Sequence, residues 1–373
     1  MTTITDTRVK QFTYYDFAKI FSYNGTMNHV VGGRGIGKTY GMQKKVIKDA
    51  IRSIGTVSQK FEAKDGTIKE EFIDTVNDQF IYLRRYKEEL ALAKATFFSA
   101  VHKEFPDWDF RVNGWEAQMC HVETRGMKPR PWITIGYFVA LSVAQKFKSV
   151  AFPKVKTIIF DEYILESGMV HYLPNEATIF LNFYSTVDRY KDKTRVFFLA
   201  NSVSITNPYF LEYNINPDQA DENGFLRLHK GFMIFHFPDL DKFVSEVYET
   251  AFGRFIYGTE YADYAVGNQF SDNNKELIGM KGPRATYRFT LETRIGVFSV
   301  WYSPRRQEYF CQMKRPKDEI FVTLDPARMT EDKVLLNTND KTIALLKTAY
   351  RHARVVFDYP ATRNAFIDIF KQQ

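Results

Sequence analysis

One glycine-rich segment constrains this chain more than any other feature of its sequence. Residues 32–39 read GGRGIGKT and fulfil the pattern GxxxxGK[ST]. The run NHVV at 28–31 is typical of a strand, and residues 40–51 have helical periodicity. Glycines at this spacing let backbone N–H groups and the N-terminus of the following helix surround a phosphate. The segment therefore predicts a strand–loop–helix unit that binds the phosphates of a nucleotide.

Each position of this segment is a candidate ATP-binding residue. The eight residues are Gly32, Gly33, Arg34, Gly35, Ile36, Gly37, Lys38 and Thr39. Lys38 is expected to reach the β- and γ-phosphates, and Thr39 is expected to ligate Mg²⁺. An ordinary glycine turn before a helix is the alternative, and the flanking strand and helix patterns count against it.

A second pattern supplies the carboxylates that ATP hydrolysis requires. The apolar run at 157–160 ends in Asp161 and Glu162. One carboxylate is needed near the metal ion and another near the attacking water. We expect Asp161 to hold Mg²⁺ and Glu162 to polarise the water. An apolar strand ending in Asp-Glu is common by itself, but together with the glycine segment it predicts a P-loop ATPase.

Two other polar positions are candidates for the same site. Asn201 ends the apolar run at 195–201, where its amide would contact the γ-phosphate or serve only as a strand-end cap. Arg189 lies on a basic stretch. An arginine of this stretch that contacts the γ-phosphate bound to a neighbouring subunit would neutralise the charge of that phosphate. The residues alone do not choose among Arg189, Lys191, Lys193 and Arg195, and each is also consistent with a solvated surface charge.

Charge and composition limit the class of protein. The net charge of +7 is compatible with a polyanionic partner and equally with a merely basic soluble protein. No run approaches the ~18 apolar residues of a membrane span, and Met1–Asp6 begins no secretory signal. Cys120 and Cys311 lie far apart, which indicates a reducing compartment and no metal site. We expect a cytoplasmic protein.

The order of patterns along the chain predicts an α/β fold followed by a second domain. Buried parallel strands are expected at 28–31, 80–85, 157–161 and 195–201. The segments 53–71 and 110–122 are expected to be excursions from this core, the latter with a hairpin turn at 113–114.

Residues 208–285 are mixed and rich in turns, and a β-meander is expected after them. The expected strands are 287–291, 295–302, 308–313 and 319–324, and the expected closing helices are 340–353 and 361–371. These patterns predict an ATPase domain at 1–207, a linker region at 208–230 and a C-terminal domain at 231–373.

Five blocks of the sequence resemble the genome-packaging ATPases of φ29-like small tailed phages, which are relatives of the large terminase subunits. The blocks are residues 33–40, 81–87, 157–162, 201–210 and 252–261. The first includes an arginine inside the phosphate loop, as terminase-like motors favour. Together the blocks span about residues 12–270.

The resemblance implies a P-loop ATPase domain of the additional-strand catalytic-glutamate type with a parallel-rich sheet. It also implies an α+β RNase H-like domain after it, related to the terminase nuclease but degenerate. Lys38, Thr39, Asp161 and Glu162 take the roles given above. The resemblance favours Arg189 as an arginine acting on the neighbouring subunit and Asn201 as a coupling residue. Lys148 becomes a secondary candidate for contact with that neighbour.

The resemblance further implies a homopentameric ring that drives viral double-stranded DNA into a procapsid with ATP. Implied partners are the DNA, the procapsid portal (connector) protein and a structural RNA, with no membrane involved. The expected location is the host cytoplasm, transiently at the portal vertex. The alternatives are another P-loop NTPase, such as a helicase or small-molecule kinase, and a nucleotide-sensing scaffold that binds nucleic acid.

The C-terminal region lacks the acidic pattern of a working nuclease. A two-metal nuclease needs several carboxylates that converge on paired cations. The expected strand at 287–291 has no acid in its middle, Glu292 falls at its end, and Asp325 has no evident partner. We therefore expect no cleavage of nucleic acid. The basic residues that suit DNA, portal or RNA contact are Arg284, Arg288, Arg294, Arg305, Arg306, Lys314, Arg315 and Lys317.

Overall fold

The computed structural model describes residues 12–62, 67–165, 171–213, 215–266, 270, 277–337 and 340–370. The chain divides into two compact units. The first comprises the described parts of Met1–Tyr163, Thr186–Asn201 and Asp221–Asn268. The second comprises those of Ile164–Ser185, Ser202–Ala220 and Gln269–Gln373. The expectations for residues 1–6, 63–66 and 371 fall outside the described residues.

The strands of the first unit are β1 (Met27–Gly32), β2 (Ile54–Glu62), β3 (Ile68–Val76), β4 (Gln79–Arg84), β5 (Trp108–Asn113), β6 (Glu116–His121), β7 (Ile133–Ala140), β8 (Val155–Asp161), β9 (Arg195–Asn201), β10 (Phe225–Leu228) and β11 (Met233–His236). Those of the second unit are β12 (Thr286–Glu292), β13 (Val297–Ser303), β14 (Glu308–Gln312), β15 (Phe321–Thr323), β16 (Lys333–Leu335) and β17 (Val355–Phe357).

The α-helices are α1 (Ala18–Ser22), α2 (Lys38–Arg52), α3 (Lys87–Thr96), α4 (Glu176–Asp188), α5 (Pro208–Tyr213), α6 (Asp241–Tyr248), α7 (Ala251–Ile256), α8 (Glu260–Ala265), α9 (Lys341–Arg351) and α10 (Pro360–Ile367). Short 3₁₀ helices occupy His102–Glu104, Val122–Gly126, Leu141–Phe147, Pro217–Gln219, His229–Gly231, Pro326–Arg328 and Asp368–Phe370.

Within the described part of the first unit, nine strands form one mixed sheet in the order β10-β11-β1-β9-β8-β4-β7-β6-β5. The strands from β11 to β7 run parallel. Strand β1 is buried along its whole length, as is almost all of β4, β8 and β9, as expected for strands covered on both faces. The four predicted parallel strands are therefore confirmed.

Helix α2 covers the centre of this sheet. Its apolar side chains Met42, Val46 and Ile47 are buried in one cluster with Phe80 and Ile159 of the strands. These residues are spaced three to four apart, so they share one face of the helix. Because α2 begins where the loop after β1 ends, this packing fixes the loop at the carboxyl edge of the parallel strands.

Each of the two predicted excursions is an antiparallel pair of strands. Strands β5 and β6 form a hairpin around Gly114, as predicted, and extend one edge of the sheet. Strands β2 and β3 form a two-stranded ribbon outside the nine-stranded sheet. Apolar Ile68 and Phe72 are exposed on β3.

The second unit contains, among its described residues, a six-stranded sheet ordered β16-β15-β12-β13-β14-β17. Strands β12, β13 and β14 form the predicted antiparallel meander, and β15 and β16 continue in parallel beside β12. Helices α9 and α10 confirm the two predicted closing helices, and they contact β14 and β17.

The predicted domain boundary differs from this division. The sequence predicts a linker at 208–230 and a C-terminal domain from 231, yet Asp221–Asn268 belongs with the first unit. The reason is that β11 pairs in parallel with β1 and β10 pairs with β11. Each of these strands is four residues long, too short for a periodic pattern to be recognised.

Helices long and apolar enough to cross a bilayer are absent from the described residues.

Candidate active site

The glycine-rich loop joins the buried strand β1 to helix α2. Gly35 and Gly37 have φ angles of 75° and 85°, a left-handed conformation that side chains other than glycine rarely adopt. Two backbone hydrogen bonds anchor the loop: Tyr15 N donates to Ile36 O at 2.9 Å, and Arg34 N donates to Ala265 O at 2.9 Å. The loop is therefore held from outside the strand–helix unit as well as from within it.

The side chain of Lys38 folds back over the loop. Its Nζ donates to Gly32 O at 2.9 Å, to Gly33 O at 2.7 Å and to Asn201 Oδ1 at 3.1 Å. Burial lowers the pKa of Lys38 to about 8, although Asp161 and Glu162 oppose that shift. All three ammonium protons therefore have acceptors within the protein.

The acidic end of β8 meets the start of α2. Thr39 Oγ1 lies 3.1 and 3.0 Å from the two carboxylate oxygens of Asp161 and donates to them. Tyr82, on the adjacent strand β4, donates to Asp161 Oδ2 at 2.6 Å. Burial raises the pKa of Asp161, against the opposing effects of the Tyr82 hydrogen bond and the Arg84 charge. The structure therefore brings both predicted metal-binding residues together.

Glu162 stands at the rim of this arrangement. Its side chain is 61% exposed, and its backbone is left-handed with φ of 54°. Arg84, from the end of β4, forms an ion pair with the Glu162 carboxylate. The neighbouring and fully buried Arg85 donates to the backbone oxygens of Glu162 at 3.3 Å and of Tyr163 at 2.6 Å. Two successive arginines, one ending β4 and one directly after it, thus hold the turn after β8.

Asn201 lies beside the glycine loop because of the register between strands β9 and β1. Strand β9 pairs in parallel with β1 so that Asn201 lies opposite Gly32. The Asn201 amide oxygen consequently accepts a hydrogen bond from Lys38. The residues assembled at this edge of the sheet are Gly32 to Thr39, Tyr82, Arg84, Asp161, Glu162 and Asn201.

Arg189 and Lys148 do not join this assembly. Both are exposed, and Arg189 Nη2 donates to Val150 O at 3.4 Å. Arg189 precedes the start of β9, and Lys148 precedes the start of β8. Because β8 and β9 run parallel to β1, these two residues lie at the edge of the sheet opposite the glycine loop.

Asp188 fixes the backbone that carries Arg189. Its buried carboxylate accepts hydrogen bonds of 2.9–3.0 Å from the backbone N–H groups of residues 191–194. Burial acts to raise the pKa of Asp188, but these four N–H groups outweigh it and the net shift is downward. Arg189 and Tyr190 both have positive φ angles in this turn, and both are exposed.

Sequence reasoning missed Tyr82, Arg84, Arg85 and Asp188. The pair Arg84-Arg85 at the end of a predicted strand was a usable signal, since a buried strand that ends in two arginines requires acceptors. Tyr82 carried no signal because a tyrosine inside an apolar strand is ordinarily a packing residue. Asp188 is identified only by the four N–H groups that the turn directs towards it.

The two acids of the second unit that the sequence analysis considered, Glu292 and Asp325, pair with cations. Glu292 is buried and accepts a 2.8 Å hydrogen bond from Lys333 Nζ. Arg328 lies 3.8 Å from Glu292 and 3.6 Å from Asp325. Arg328 therefore pairs with both carboxylates. The described residues contain no group of three or more His, Cys, Asp or Glu side chains that could hold a metal ion.

Some of the basic residues of this region are also paired. Arg294 contacts Asp368 at 3.0 Å, and Arg306 contacts Glu308 at 3.3 Å. Arg315 lies within 3.8 Å of Glu212. These pairs reduce the positive charge that this unit presents.

The fold and the site define an α/β protein in which a strand–glycine loop–helix unit meets an acidic strand end across a mixed sheet. Over residues 9–57 and 50–373 the chain matches the family of podovirus DNA encapsidation proteins (Gp16), and it belongs to that family. The resemblance drawn from the five sequence blocks is confirmed.

Individual relatives match almost the whole chain. The DNA packaging protein of Bacillus phage phi29 is 30% identical over 367 residues, which are 96% of this chain and 97% of that protein. The DNA packaging protein of Bacillus phage B103 is 30% identical over 356 residues, 95% of this chain and 99% of that protein. A chain in the solved bacteriophage Phi-29 viral genome packaging motor assembly is 29% identical, with a TM-score of 0.63, and the match covers 96% of this chain and 99% of that one.

Proposed function

We propose that this protein is an ATP-driven motor that moves viral double-stranded DNA into a procapsid. The observation that carries the proposal is the contact between Thr39 and Asp161, 3.0 Å apart, in a chain of the DNA encapsidation family. The first unit is the proposed P-loop ATPase of the additional-strand catalytic-glutamate type. Its parallel strands and the loop at their carboxyl edge support that assignment.

Thr39 and Asp161 fit a bound Mg²⁺. Both present oxygen atoms, the ligands that Mg²⁺ prefers, and they lie close enough to share one ion. When bound, Mg²⁺ neutralises phosphate charge. Lys38 would exchange its contacts with Gly32 and Gly33 for the β- and γ-phosphates, and the backbone N–H groups of the loop would surround the β-phosphate.

Glu162 is the proposed general base. Its carboxylate accepts a proton from the water whose oxygen attacks the γ-phosphorus, while the bond to the ADP oxygen breaks. To act, the carboxylate must exchange its ion pair with Arg84 for a hydrogen bond to that water. Asn201, already bonded to Lys38, is the proposed coupling residue because movement of Lys38 towards phosphate changes its contact.

Arg189 is proposed to act on the site of a neighbouring subunit, with Lys148 as a second contact. Their position opposite the glycine loop of their own chain supports an action between subunits. The hydrogen bonds that Asp188 accepts from the turn after Arg189 support it further, since an arginine aimed at developing charge must be preorganised. We accordingly propose a ring, pentameric as in the family, at the procapsid portal vertex in the host cytoplasm, with portal protein and a structural RNA as partners.

For the second unit we propose an RNase H-like, non-cleaving domain. A three-stranded antiparallel meander that continues into parallel strands supports the fold. The pairing of Glu292 with Lys333 supports the absence of cleavage, because an ammonium group occupies the carboxylate that a metal would need. Plasmid DNA incubated with the protein and Mn²⁺ should remain intact, and nicking that Asp325→Ala removes would contradict the proposal.

ATP turnover tests the proposed motor. Wild-type protein should hydrolyse ATP faster with double-stranded DNA than without it. Glu162→Gln should reduce turnover by about a hundredfold or more, on the order of 3 kcal/mol, and retain ATP binding. Glu123→Gln changes an exposed carboxylate that lies near His121 and outside the site, and it serves as the matched control.

The possible outcomes separate the alternatives. Normal turnover in Glu162→Gln would reject Glu162 as the base. Turnover that does not depend on DNA and that transfers phosphate to a small acceptor would indicate a kinase. ATP binding without any turnover would indicate a nucleotide-sensing scaffold.

A further inference from the structure

A polar cavity of the first unit lies at the edge of the nine-stranded sheet opposite the glycine loop. Its volume is about 320 Å³, within the range of about 300–1,000 Å³ for small-molecule pockets. Four of the six charged residues that line it are cations, so the cavity has an excess of positive charge. The six are Lys45, Asp49, Asp78, Lys156, Lys193 and Arg195. None of the roles proposed above uses this cavity.

Three parallel strands form the floor of the cavity at their amino ends. Phe80 of β4 lies beside Thr157 of β8, and Thr157 lies beside Arg195 of β9. Ile159 and Phe197, two residues further along their strands, belong to the apolar cluster under α2. Because side chains two residues apart in a strand share one face of the sheet, Thr157 and Arg195 face α2 as well. The floor therefore presents a hydroxyl and a guanidinium group side by side.

Helix α2 contributes one wall of the cavity. Lys45 and Asp49, one turn apart on this helix, form an ion pair with each other. In the described lining, this pair leaves a single carboxylate, that of Asp78, against three further cations. Among the described residues, Lys156 and Arg195 form ion pairs with no carboxylate. The acids of the cavity therefore do not neutralise its positive charge.

Lys193 shows the effect of this crowding of cations. It is half-buried, and its Nζ donates to Phe152 O at 2.9 Å and to Pro153 O at 3.0 Å. Burial and the charges of Lys156 and Lys191 lower the pKa of Lys193. The charged form is therefore disfavoured in the free protein, and an anion placed among these cations would stabilise it.

We infer that this cavity binds a small anion that carries phosphate groups, such as an inorganic polyphosphate or a phosphate ester. Ammonium and guanidinium groups form short, charge-assisted hydrogen bonds to phosphate oxygens, and the planar guanidinium of an arginine binds two of them at once. Lys156 and Arg195 supply these donors. Thr157 at the floor is only 7% exposed, so a ligand must enter a recess. A recess favours a small anion over a DNA duplex, whose phosphates are contacted on open surfaces.

The inference goes beyond the proposed function, because the cavity and the glycine loop lie at opposite edges of the sheet. Lys193 and Arg195 follow the turn that carries Arg189, and Asp188 accepts a hydrogen bond from the backbone N–H of Lys193. An anion in the cavity would neutralise cations in this segment. Its binding would therefore change the charge beside the arginine that is proposed to act on a neighbouring subunit.

Calorimetry with inorganic pyrophosphate, without Mg²⁺, tests the inference in the full-length protein. Lys38→Met serves as the background, since it removes the lysine of the glycine loop and leaves the cavity intact. Pyrophosphate should still bind in this background, and Arg195→Gln should weaken that binding by about tenfold or more. Lys156→Gln, which changes an exposed side chain at no risk to the core, should weaken it as well. Lys48→Gln is the matched control, because Lys48 is exposed on α2 and does not line the cavity.

The outcomes distinguish the cavity from the glycine loop. Pyrophosphate binding that neither cavity variant weakens, or that Lys48→Gln weakens equally, would overturn the inference. Absence of pyrophosphate binding in the Lys38→Met background would also overturn it. If pyrophosphate does not bind but Arg195→Gln weakens the binding of a short DNA duplex, the cavity contacts DNA and the small-anion site is wrong. ATP binding by wild type is measured in parallel, and its absence would contradict the proposed function without affecting the cavity.

Discussion

The phenol of Tyr82 and the carboxylate of Asp161 form a 2.6 Å hydrogen bond between adjacent parallel strands. Burial and the nearby Asp161 charge raise the pKa of Tyr82, so the phenol remains a donor. Tyr82 therefore orients the carboxylate that is proposed to hold the metal ion. Removal of a group that hydrogen-bonds to a metal ligand commonly changes the metal affinity by about 10–100-fold.

Tyr82→Phe should raise the Mg²⁺ concentration for half-maximal ATP turnover by about tenfold, because Asp161 loses its orienting donor. Ring packing is retained, so the fold should lose only about 1–2 kcal/mol. Magnesium titrations of turnover provide the measurement. Tyr137→Phe, which removes a phenol bonded to Gln79 on the same sheet, should leave the titration unchanged. An unaltered titration in Tyr82→Phe would reject the orienting role.

The buried Lys38 predicts a pH dependence of ATP binding. Its pKa is lowered to about 8 by burial, so above that pH the free protein carries a neutral amine. Phosphate contact requires the ammonium form. ATP binding above pH 8 should therefore take up a proton, and the dissociation constant should rise by at most about tenfold per pH unit.

Calorimetry at pH 8.5 in two buffers of different ionisation enthalpy measures that proton uptake. Lys44→Met, a change on the same helix at a residue that pairs with Glu104, should preserve it. Binding enthalpies that do not depend on the buffer would show that Lys38 is already charged and would contradict the prediction.

Mixing two inactive variants tests whether Arg189 acts between subunits. Arg189→Ala retains Glu162, and Glu162→Gln retains Arg189, so some interfaces in a mixed ring contain both groups. We expect the mixture to recover part of the ATP turnover that neither variant has alone. Lys191→Ala, a neighbouring change in the same turn, should remain active by itself. Absence of recovery, with both variants folded and assembled, would argue against the role of Arg189.

Asp358 in the second unit predicts a pH dependence of stability. Burial raises its pKa from 3.8 to about 6, although Thr362 and Met313 donate hydrogen bonds to it. A raised pKa means that the folded protein favours the protonated acid. The stabilisation is therefore complete below about pH 4 and is lost as the pH rises through about 6.

Denaturant unfolding of wild type and of Asp358→Asn provides the measurement. The free energy of unfolding of wild type, relative to the variant, should fall by on the order of 2 kcal/mol between pH 4 and pH 7. A difference that stays constant across this range would mean that the Asp358 pKa is not raised.

Features that depend on neighbours in the chain could be predicted from the sequence. The glycine loop is an example, because the left-handed backbone at Gly35 and Gly37 and the following helix are local properties. The buried strands β1, β8 and β9 were equally visible, since each is a short apolar run. Their ends then indicated which polar residues would share the carboxyl edge of the sheet.

Features that join distant parts of the chain could not be predicted in this way. The ion pair between Arg84 and Glu162 requires β4 to lie beside β8, which no pattern in either strand specifies. Pairing of β11 with β1 likewise places Asp221–Asn268 in the first unit, whereas the sequence predicted that most of this segment belongs to the C-terminal domain. A cavity of about 310 Å³ beside the glycine loop likewise brings Phe12 and Phe252 together from distant parts of the chain.

The sequence by itself determined the residues on which the proposed chemistry depends: a glycine loop, a pair of carboxylates at a strand end and an arginine on a basic turn. Only the tertiary structure decided which groups contact those residues: Tyr82 bonds to Asp161, Arg84 pairs with Glu162, and Asp188 binds the turn that follows Arg189. The physical reason is that local backbone preferences act over a few residues, whereas a hydrogen bond or an ion pair depends on distance in space, which sheet order sets.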